Sequence, residues 1–422
     1  MKLLIKNVTI VDVESAYNGQ TLDVLIENGR IKEIGNSISE PNADEIVDEE
    51  HLYLSQGAFD LIGSIPEPGE EYKESLQSGM KAAQKGGFTS IGLVPHNLSP
   101  CDKVEKVMYL NQTCANNTVD IKPIGALTNG LKGENMAELY DMYSNGAIAF
   151  AQNRTFLKNT EVMKTAVEYS RIFNGTVMSF PYDDAICKNA MIHEGKISVF
   201  LGLKGNPSIA EAMGVARDLS LAEYTKGNMH FACISSKESV DKIREAKANG
   251  LSITASVAVH NLAFTDASLL GFDQNLKVIP PIRSEEDKEA LIEGLIDGTI
   301  DCVVSNHHPQ DLDAKRCEFS IAQFGALSYQ STIPAAYEAL KDKMDLDVFM
   351  SLFSQKPHTV INTKSIGIEV GNLANLTLFT THHTYTFSKE QIVSKSKNSP
   401  YINSDFSWKT FGTYNKGIWT KN

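Results

Sequence analysis

Few residues in this sequence could bind a metal ion or act as a catalytic base. A hydrolytic metal site needs several His, Asp or carboxylated Lys side chains that converge, together with an acid or base. The best candidates for a soft or borderline metal are Cys233 and the adjacent pair His307-His308, which follows Asn306. Adjacent residues on a strand point to opposite faces, so we do not expect the two histidines to bind one ion together. The residue types therefore argue against a zinc site.

Other catalytic arrangements have no better support. The sequence has no GxGxxG after a strand, no GxxxxGK[ST] and no GxSxG, so neither a nucleotide-phosphate site nor a serine nucleophile has a motif. Cys233 could be a nucleophile with His260 or His307 as its base, but a lone buried thiol is the commoner role of such a cysteine. We interpret His230 and His260 as packed or hydrogen-bonded histidines.

The elements that would position these residues alternate between apolar strands and helices. Helical patterns lie between most strands, such as 236–250, where Ser236 is the predicted N-cap and Gly250 the end. Eight alternations over ~270 residues favour a closed (β/α)8 TIM barrel, in which functional residues lie at the C-terminal ends of the strands. The eight strand candidates are AFDLIGSI (58–65), TSIGLVP (89–95), KPIGAL (122–127), GAIAFAQ (146–152), TVMSF (176–180), HFACIS (230–235), SITASVA (252–258) and DCVVSNH (301–307).

Short alternating strands at both chain ends predict a second, smaller β-domain. Three such stretches precede the barrel pattern, separated by turns such as Glu27-Asn28-Gly29, and the pattern returns in GNLANLTLFTTHHTYTF. We therefore predict an α/β fold in three segments. Residues 1–55 form the N-terminal part of a composite β-sandwich domain, 56–360 form the barrel, and 361–422 form the C-terminal part of the β-domain and a tail.

Composition and charge argue against several other classes of protein. The 42% hydrophobic and 22% charged residues are typical of a soluble globular protein, and the net charge of -13 argues against a nucleic-acid or membrane-surface binder. No apolar run reaches the ~18 to 20 residues of a membrane span, and the N-terminus has a strand pattern instead of a signal peptide. The six cysteines form no CxxC pair, which predicts reduced thiols and a cytoplasmic location.

Several blocks of sequence resemble the dihydroorotases of the amidohydrolase superfamily over essentially the full chain. They include EPGEEYKESLQSGMKAAQKGGFTSIGLVP, LKVIPPIRSEEDKEALIEGLIDGTIDCVVSNHHP and the tail SKSKNSPY, with two further blocks in order between them. The resemblance implies a (β/α)8 amidohydrolase-type barrel with a composite β-domain. It also implies a family activity in pyrimidine biosynthesis, the interconversion of dihydroorotate and carbamoyl aspartate, for which active members use one or two zinc ions.

The family's functional positions, carried across one by one, fall on other residue types in this sequence. His307 is unchanged, and His96 or Asn97 stands near the family's asparagine after the second strand. These three residues and His260 would line a vestigial pocket. The catalytic and substrate-binding positions fall on Asn306 in place of the aspartate base, Pro66 in place of an arginine, and Ile279 in place of an asparagine. The metal positions fall on Ile62, Ser64, Asn153, Phe180, Cys233 and Asn306.

The chemistry of these replacements predicts a protein that is not an enzyme. Ile62 and Phe180 offer no lone pair to a metal, and Asn153 and Asn306 keep the shape of aspartate without its charge. We therefore predict no cofactor and a non-catalytic structural or regulatory role. Family members of this kind accompany aspartate transcarbamoylase, so the resemblance implies that partner, and we also expect a homo-oligomer.

Two alternatives stay open at this point. The chain could be an active dihydroorotase or another cyclic amidohydrolase, as the family name suggests. It could also hold a metal-free pocket repurposed for another small ligand. Apolar residues such as Ile62, Phe180 and Ile279 would then line a site for a more apolar ligand, whereas in the interpretation we favour they simply fill the pocket.

Overall fold

The computed structural model describes the whole chain, from Met1 to Asn422. Its strands form two eight-stranded sheets and two short two-stranded ribbons. In chain order the strands are β1 (Lys2–Ile10), β2 (Thr21–Glu27), β3 (Arg30–Gly35), β4 (Glu45–Val47), β5 (Tyr53–Gln56), β6 (Ala58–Gly63), β7 (Phe88–Leu93), β8 (Asp120–Ala126), β9 (Ala149–Ala151), β10 (Thr176–Ser179), β11 (Ile192–His193), β12 (Gly205–Asn206), β13 (Asn228–Phe231), β14 (Ile253–Ala258), β15 (Cys302–Val304), β16 (Leu376–Thr380), β17 (Tyr385–Thr386), β18 (Asp405–Phe406), β19 (Lys409–Asn415) and β20 (Ile418–Lys421).

Helices follow most of the barrel strands. In chain order the α-helices are α1 (Leu76–Gly86), α2 (Val104–Thr113), α3 (Leu139–Ser144), α4 (Thr160–Ser170), α5 (Lys196–Leu201), α6 (Ile209–Thr225), α7 (Lys237–Ala248), α8 (Val259–Ala263), α9 (Glu285–Ile296), α10 (Leu312–Lys315), α11 (Thr332–Leu340), α12 (Leu346–Ser351) and α13 (Gln355–Val360). Short 3-10 helices cover Asn129–Leu131, Arg171–Phe173, Asp266–Gly271, Gln274–Leu276 and Lys389–Gln391. No helix combines the length and the apolar character needed to cross a membrane.

The helix α7 shows how the sequence sets these boundaries. The side chain of Ser236, the predicted N-cap, accepts a hydrogen bond from the backbone N–H of Ser239, which satisfies one donor of the first turn. Val240 and Ile243 are buried three residues apart on the side that faces the barrel. The helix ends at Ala248, and Gly250 follows with a φ of 80°, a left-handed conformation that glycine adopts at little cost.

The barrel is a single parallel sheet in the order β6-β7-β8-β9-β10-β13-β14-β15. Each of the eight predicted strands overlaps one of these. Two backbone hydrogen bonds join the ends of the first and last strands. The N–H of Asn306 donates to the carbonyl of Ile62 at 3.1 Å, and the N–H of Ser64 donates to the carbonyl of His307 at 2.9 Å. The strand ends therefore surround one opening.

Strands from both ends of the chain build the second sheet, in the order β20-β19-β16-β5-β1-β2-β3, with β4 beside β1. Leu3, Leu54 and Leu376 belong to a separate apolar core within it. Trp408 is fully buried and stacks on Phe379 of β16 at 3.8 Å between ring centroids, within the main core of the barrel. The predicted fold class, a TIM barrel with an additional sheet domain from both chain ends, is confirmed.

A buried carboxyl group links the first and last barrel strands. Asp60 of β6 has no exposed surface, and its two oxygens accept hydrogen bonds from the N–H of Ser305 at 2.7 Å and the hydroxyl of Ser305 at 2.5 Å. Burial raises the pKa of Asp60 to about 7, although both hydrogen bonds act in the opposite direction. The folded protein therefore keeps a proton on Asp60 at pH values where the unfolded chain has lost it.

Replacing Asp60 by asparagine should change how stability depends on pH. Between about pH 4 and about pH 7 the folded state binds more protons at Asp60 than the unfolded state, so stability falls as pH rises through this window. The free energy of unfolding of the unsubstituted protein should therefore fall relative to that of Asp60→Asn over the same window. Urea unfolding at several pH values measures both. Asp48→Asn, at an exposed position, should run parallel to the unsubstituted protein, and a constant difference for Asp60→Asn would contradict the raised pKa.

Candidate functional site

The C-terminal ends of the eight barrel strands surround one opening, which we call the barrel mouth. Three of the predicted metal positions, Ile62, Phe180 and Cys233, lie together there in one apolar cluster. Their exposed fractions are 0%, 7% and 3%. The structure thus brings these three residues together as packed side chains in the interior of the barrel.

Three of the strand ends share an unusual backbone conformation. Asn153, Cys233 and Asn306 have φ angles of 52°, 55° and 51°, and each stands two residues beyond the end of its strand. Left-handed backbone is uncommon for residues other than glycine, and asparagine tolerates it better than cysteine does. The same conformation occurs at other turns of the chain, such as Asn28 and Asn174, so at the strand ends it reflects the local turn of the backbone.

A guanidinium group lies within the barrel mouth. Nη1 of Arg154 donates to Oδ1 of Asn306 at 2.6 Å and Nη2 donates to the carbonyl of His307 at 2.8 Å. Nη1 is also 3.3 Å from the carbonyl of Asn306, and Nε is buried without a hydrogen-bond partner. Removal of the guanidinium from water lowers the pKa of Arg154, and the nearby Cys233, Tyr329 and Asp60 oppose that shift. The mouth therefore carries its own positive charge.

The side chain of Asn306 uses both ends of its amide. Oδ1 accepts from Arg154 at 2.6 Å, and Nδ2 donates to the carbonyl of Ile279 at 3.0 Å. An aspartate here could accept from Arg154 but would place a second acceptor against the carbonyl of Ile279, which has no hydrogen to donate. The surroundings of Asn306 therefore match an amide better than a carboxylate.

Little space is left at the mouth. Arg154, Phe180, Cys233 and Ile279 line one cavity, whose volume is about 20 Å³. A cavity of this size has room for about one water molecule, whereas pockets for small-molecule ligands measure about 300–1,000 Å³. Ile279, at the position of the family's asparagine, thus lies among the residues around this small cavity, as in the interpretation we favour from sequence.

The thiol of Cys233 is not prepared for nucleophilic or metal chemistry. Burial raises its pKa to about 12, with Arg154 acting in the opposite direction, so the thiol is protonated at neutral pH. Burial lowers the pKa of His260 to about 3, and Nδ1 of that ring lies 3.0 Å from the hydroxyl of Tyr401. No hydrogen bond joins Cys233 to His260 or to His307. The geometry favours a buried thiol over a nucleophile with its base.

The ring of His307 is held by Ser328 and Tyr329, and its backbone carbonyl belongs to the mouth. Its Nδ1 accepts from the N–H groups of Ser328 at 3.1 Å and Tyr329 at 3.3 Å, which leaves the proton of the neutral ring on Nε2. The ring stacks on Tyr329 at 3.9 Å between centroids. Nε2 lies 3.9 Å from Oε2 of Glu74, and neither atom has a hydrogen-bond partner. Burial lowers the pKa of His307 well below its usual value.

The remaining predicted residues make separate contacts and do not form one group. Oδ1 of Asn97 accepts from Nδ2 of Asn153 at 2.8 Å, so the structure brings these two residues together. His96 instead pairs with Glu70, with Nε2 3.0 Å from Oε2. The carbonyl of Pro66 accepts from the N–H of Glu70 at 2.8 Å. Ser64, which is 4% exposed, contributes its backbone N–H to barrel closure and not its hydroxyl to a shared site.

Two arginines near the mouth are not among the residues predicted from sequence. Arg154 stands three residues beyond the end of β9, and this position at a strand end was the one available signal. Arg283 is 2% exposed, its Nε donates to Oγ of Ser235 at 2.9 Å, and its Nη2 is 3.6 Å from Oε2 of Glu211. Glu211 also lines the small cavity with Arg154. Arg283 follows no barrel strand directly, so no pattern pointed to it.

Comparison with solved structures places the barrel and its sheet domain in a known class. L-hydantoinase from Arthrobacter aurescens matches with a TM-score of 0.86 at 18% identity, over 100% of this chain and 96% of that one. D-hydantoinase from Thermus sp. matches with a TM-score of 0.84 at 20% identity, over 100% and 95%. At these identities the likeness concerns the fold alone, a barrel with an additional sheet domain.

Sequence comparison identifies the family. Residues 53–239 match the family model described as dihydro-orotase-like. The chain is 38% identical over 404 residues to the dihydroorotase of Ruminiclostridium cellulolyticum, covering 95% of this chain and 94% of that protein. It is 36% identical over 409 residues to the dihydroorotase of Caldicellulosiruptor saccharolyticus, covering 95% and 94%. This chain belongs to the dihydroorotase family.

The residues at the mouth do not fit the zinc that the resemblance implies for active members. Nowhere in the chain do three or more His, Cys, Asp or Glu side chains come together in a group that could hold a metal ion. The mouth instead presents apolar Ile62 and Phe180 and the protonated thiol of Cys233. The charge of Arg154, bonded directly to Asn306, would repel a divalent cation.

Replacing Arg154 by methionine should destabilise the protein. The substitution keeps an unbranched side chain but removes the charged donor from Asn306 and from the carbonyl of His307. A hydrogen bond to a charged group contributes about 1.5–3 kcal/mol, so we expect the free energy of unfolding to fall by about 2–3 kcal/mol. Urea unfolding measures this change. Arg316→Met, at an exposed position, is the matched control and should stay within about 0.5 kcal/mol. An increase in the stability of Arg154→Met would mean that the desolvation cost outweighs the hydrogen bonds.

Proposed function

We propose that this chain is a non-catalytic member of the dihydroorotase family that acts as a structural or regulatory partner in pyrimidine biosynthesis. The observation that carries the proposal is the position of Arg154, whose guanidinium is buried and bonded to Asn306 and to the carbonyl of His307 at the barrel mouth. A positive charge is thereby built into the place where the family's chemistry calls for a metal cation.

The chemistry of cyclic amide hydrolysis supports the same conclusion. A metal-dependent hydrolase uses its ion to bring the pKa of a bound water to about 7, and a base then shares the proton. The amide of Asn306 accepts no proton at neutral pH, and its oxygen is already occupied by Arg154. Pro66 offers no guanidinium to a substrate carboxylate. A cavity of about 20 Å³ leaves no room for a dihydropyrimidine ring.

A second candidate is an active dihydroorotase, and one observation favours it. Relatives named dihydroorotase match almost the whole chain, the one from Ruminiclostridium cellulolyticum at 38% identity. The residues at the mouth oppose this candidate for the reasons above. The small volume of the cavity also opposes a pocket repurposed for another small ligand.

The partner we propose is aspartate transcarbamoylase, by analogy with the non-catalytic family members that hold its trimers in a larger assembly. The filled mouth supports a role for the outer surface of the barrel, because that surface is then the part of the molecule left to act. We also propose that the chain forms a homo-oligomer, through which it could contact several transcarbamoylase trimers at once.

Purified protein should contain little zinc and show no turnover. We expect less than about 0.1 zinc ion per chain after expression with added zinc, because the donor set is too weak to retain it. Neither hydrolysis of dihydroorotate nor cyclisation of carbamoyl aspartate should exceed the rate without protein. Metal analysis and an absorbance assay test both points, with the dihydroorotase of Ruminiclostridium cellulolyticum prepared in parallel as the positive control. Stoichiometric zinc together with turnover would refute the proposal.

The protein should form a stable complex with aspartate transcarbamoylase from the same organism. Size-exclusion chromatography with light scattering should show one species heavier than either protein alone. Arg154→Met is an informative comparison, since a partner bound to the outer surface should tolerate a change in the mouth. Separate elution of the two proteins, with each keeping its own mass, would count against the partner role while leaving the absence of catalysis to the metal and activity assays.

A further inference from the structure

A second, larger cavity shares no lining residue with the small cavity at the barrel mouth. Its volume is about 210 Å³. Three segments form it: the 3-10 helix Gln274–Leu276, the chain from 310 to 316 that follows β15, and the chain from 389 to 402. We call it the basic cavity. Its charged lining residues are Asp311, Lys315, Arg316, Lys389 and Lys397.

The charges around the basic cavity are unbalanced. Four cationic side chains line it, and none of them forms a salt bridge within 4.0 Å. The single acid among the lining residues is Asp311, whose Oδ1 accepts a hydrogen bond from the N–H of Ala314 at 2.7 Å, and the charge of Asp273 also acts on Lys315. The chain as a whole carries a net charge of -13, so a cavity lined by four basic side chains without a salt bridge contrasts with the overall charge. Such a concentration of one sign attracts counter-ions of the other.

Buried polar residues hold the floor of the basic cavity in place. Lys315, Gln310 and Asn398 are 6%, 5% and 6% exposed. Oδ1 of Asn398 accepts from the N–H of Gln310 at 3.1 Å, and Nε2 of Gln310 donates to the carbonyl of Phe324 at 2.8 Å. Nζ of Lys315 donates to the carbonyl of Gln274 at 2.7 Å, which uses one of its three hydrogens. These hydrogen bonds tie the floor of the cavity to the surrounding backbone.

The cations differ in how freely they can move. Lys397 is exposed, but its Nζ donates to the carbonyls of Ile392 at 2.5 Å and Ser394 at 2.9 Å, which fixes the ammonium group near the cavity. Arg316 and Lys389 are exposed and stand at the rim. Burial, and then the charge of Lys277, lower the pKa of Lys315 to about 7. An anion in the cavity would favour the charged form of Lys315.

We propose that the basic cavity binds a small oxyanion, the phosphoryl or carboxylate groups of a compact metabolite. The geometry offers a fixed ammonium group from Lys397, a buried one from Lys315, and a guanidinium and an ammonium group at the rim from Arg316 and Lys389. Guanidinium and ammonium groups are the usual partners of phosphate and carboxylate oxygens. The volume lies below the range of about 300–1,000 Å³ for larger ligands, so the ligand is compact. This inference does not depend on the absence of catalysis at the mouth.

Calorimetric titration with inorganic phosphate, pyrophosphate and citrate at low ionic strength tests the proposal. We expect saturable binding of one anion per chain, weakened by added sodium chloride because exposed charges are screened. Preference for pyrophosphate would identify a phosphoryl ligand, and preference for citrate a polycarboxylate ligand; either result supports the site. Absence of saturable binding by all three anions would overturn it.

A pair of double variants separates a built site from general attraction of anions. Arg316→Gln with Lys389→Gln removes two rim charges at exposed positions, so the fold should be kept, and we expect the affinity to fall about tenfold or more. Lys188→Gln with Lys364→Gln removes the same total charge from exposed positions outside the cavity and should leave the affinity within about twofold. Equal losses in the two double variants would overturn the proposal. Thermal unfolding of both confirms that each remains folded.

Discussion

The hydrogen bonds of Arg154 connect the contents of the barrel mouth to the closure of the barrel itself. The carbonyl of His307 accepts from Nη2 of Arg154 at 2.8 Å and also from the backbone N–H of Ser64 at 2.9 Å. A guanidinium removed from water is stable only where acceptors surround it. Here those acceptors are backbone groups of the last strand end and the amide of Asn306, whose own N–H pairs with the first strand. The backbone groups of Asn306 and His307 thus take part both in binding Arg154 and in joining the first and last strands.

The barrel could be predicted from sequence because its strands are buried on both faces. Runs such as Phe88–Leu93 and Ile253–Ala258 are almost wholly buried, and such runs appear in a sequence as continuous apolar stretches. Their limits were less predictable. The fourth strand covers Ala149–Ala151 inside a predicted 146–152, because a strand ends where its neighbour stops offering backbone partners. The end of the strand therefore depends on the neighbouring strands and cannot be predicted from the local sequence pattern.

The sequence could predict which residues lie near the strand ends, but not which contacts their side chains make. Ile62, Phe180 and Cys233 do lie together, since each stands at or near the end of a barrel strand. His307 is not part of their apolar cluster, since its ring stacks on Tyr329 and its Nδ1 accepts from two backbone N–H groups. The interior position of Arg154 could not be predicted from sequence. Its partners are distant in sequence, and a charged residue in a loop is normally solvated, so no local rule assigns it to the interior.

The three left-handed strand ends belong to the path of the barrel backbone. The turns at Asn153, Cys233 and Asn306 direct the chain from strand to helix, so they serve the path of the barrel whatever side chain they carry. A catalytic mouth must keep unpaired polar ligands and open space, and both reduce stability. Under the proposed function neither is required, so apolar packing and one internal guanidinium can replace them. The packed mouth would then add to the stability of the fold at a place where an active site usually reduces it. Specificity for a partner would depend on the outer surfaces of the barrel.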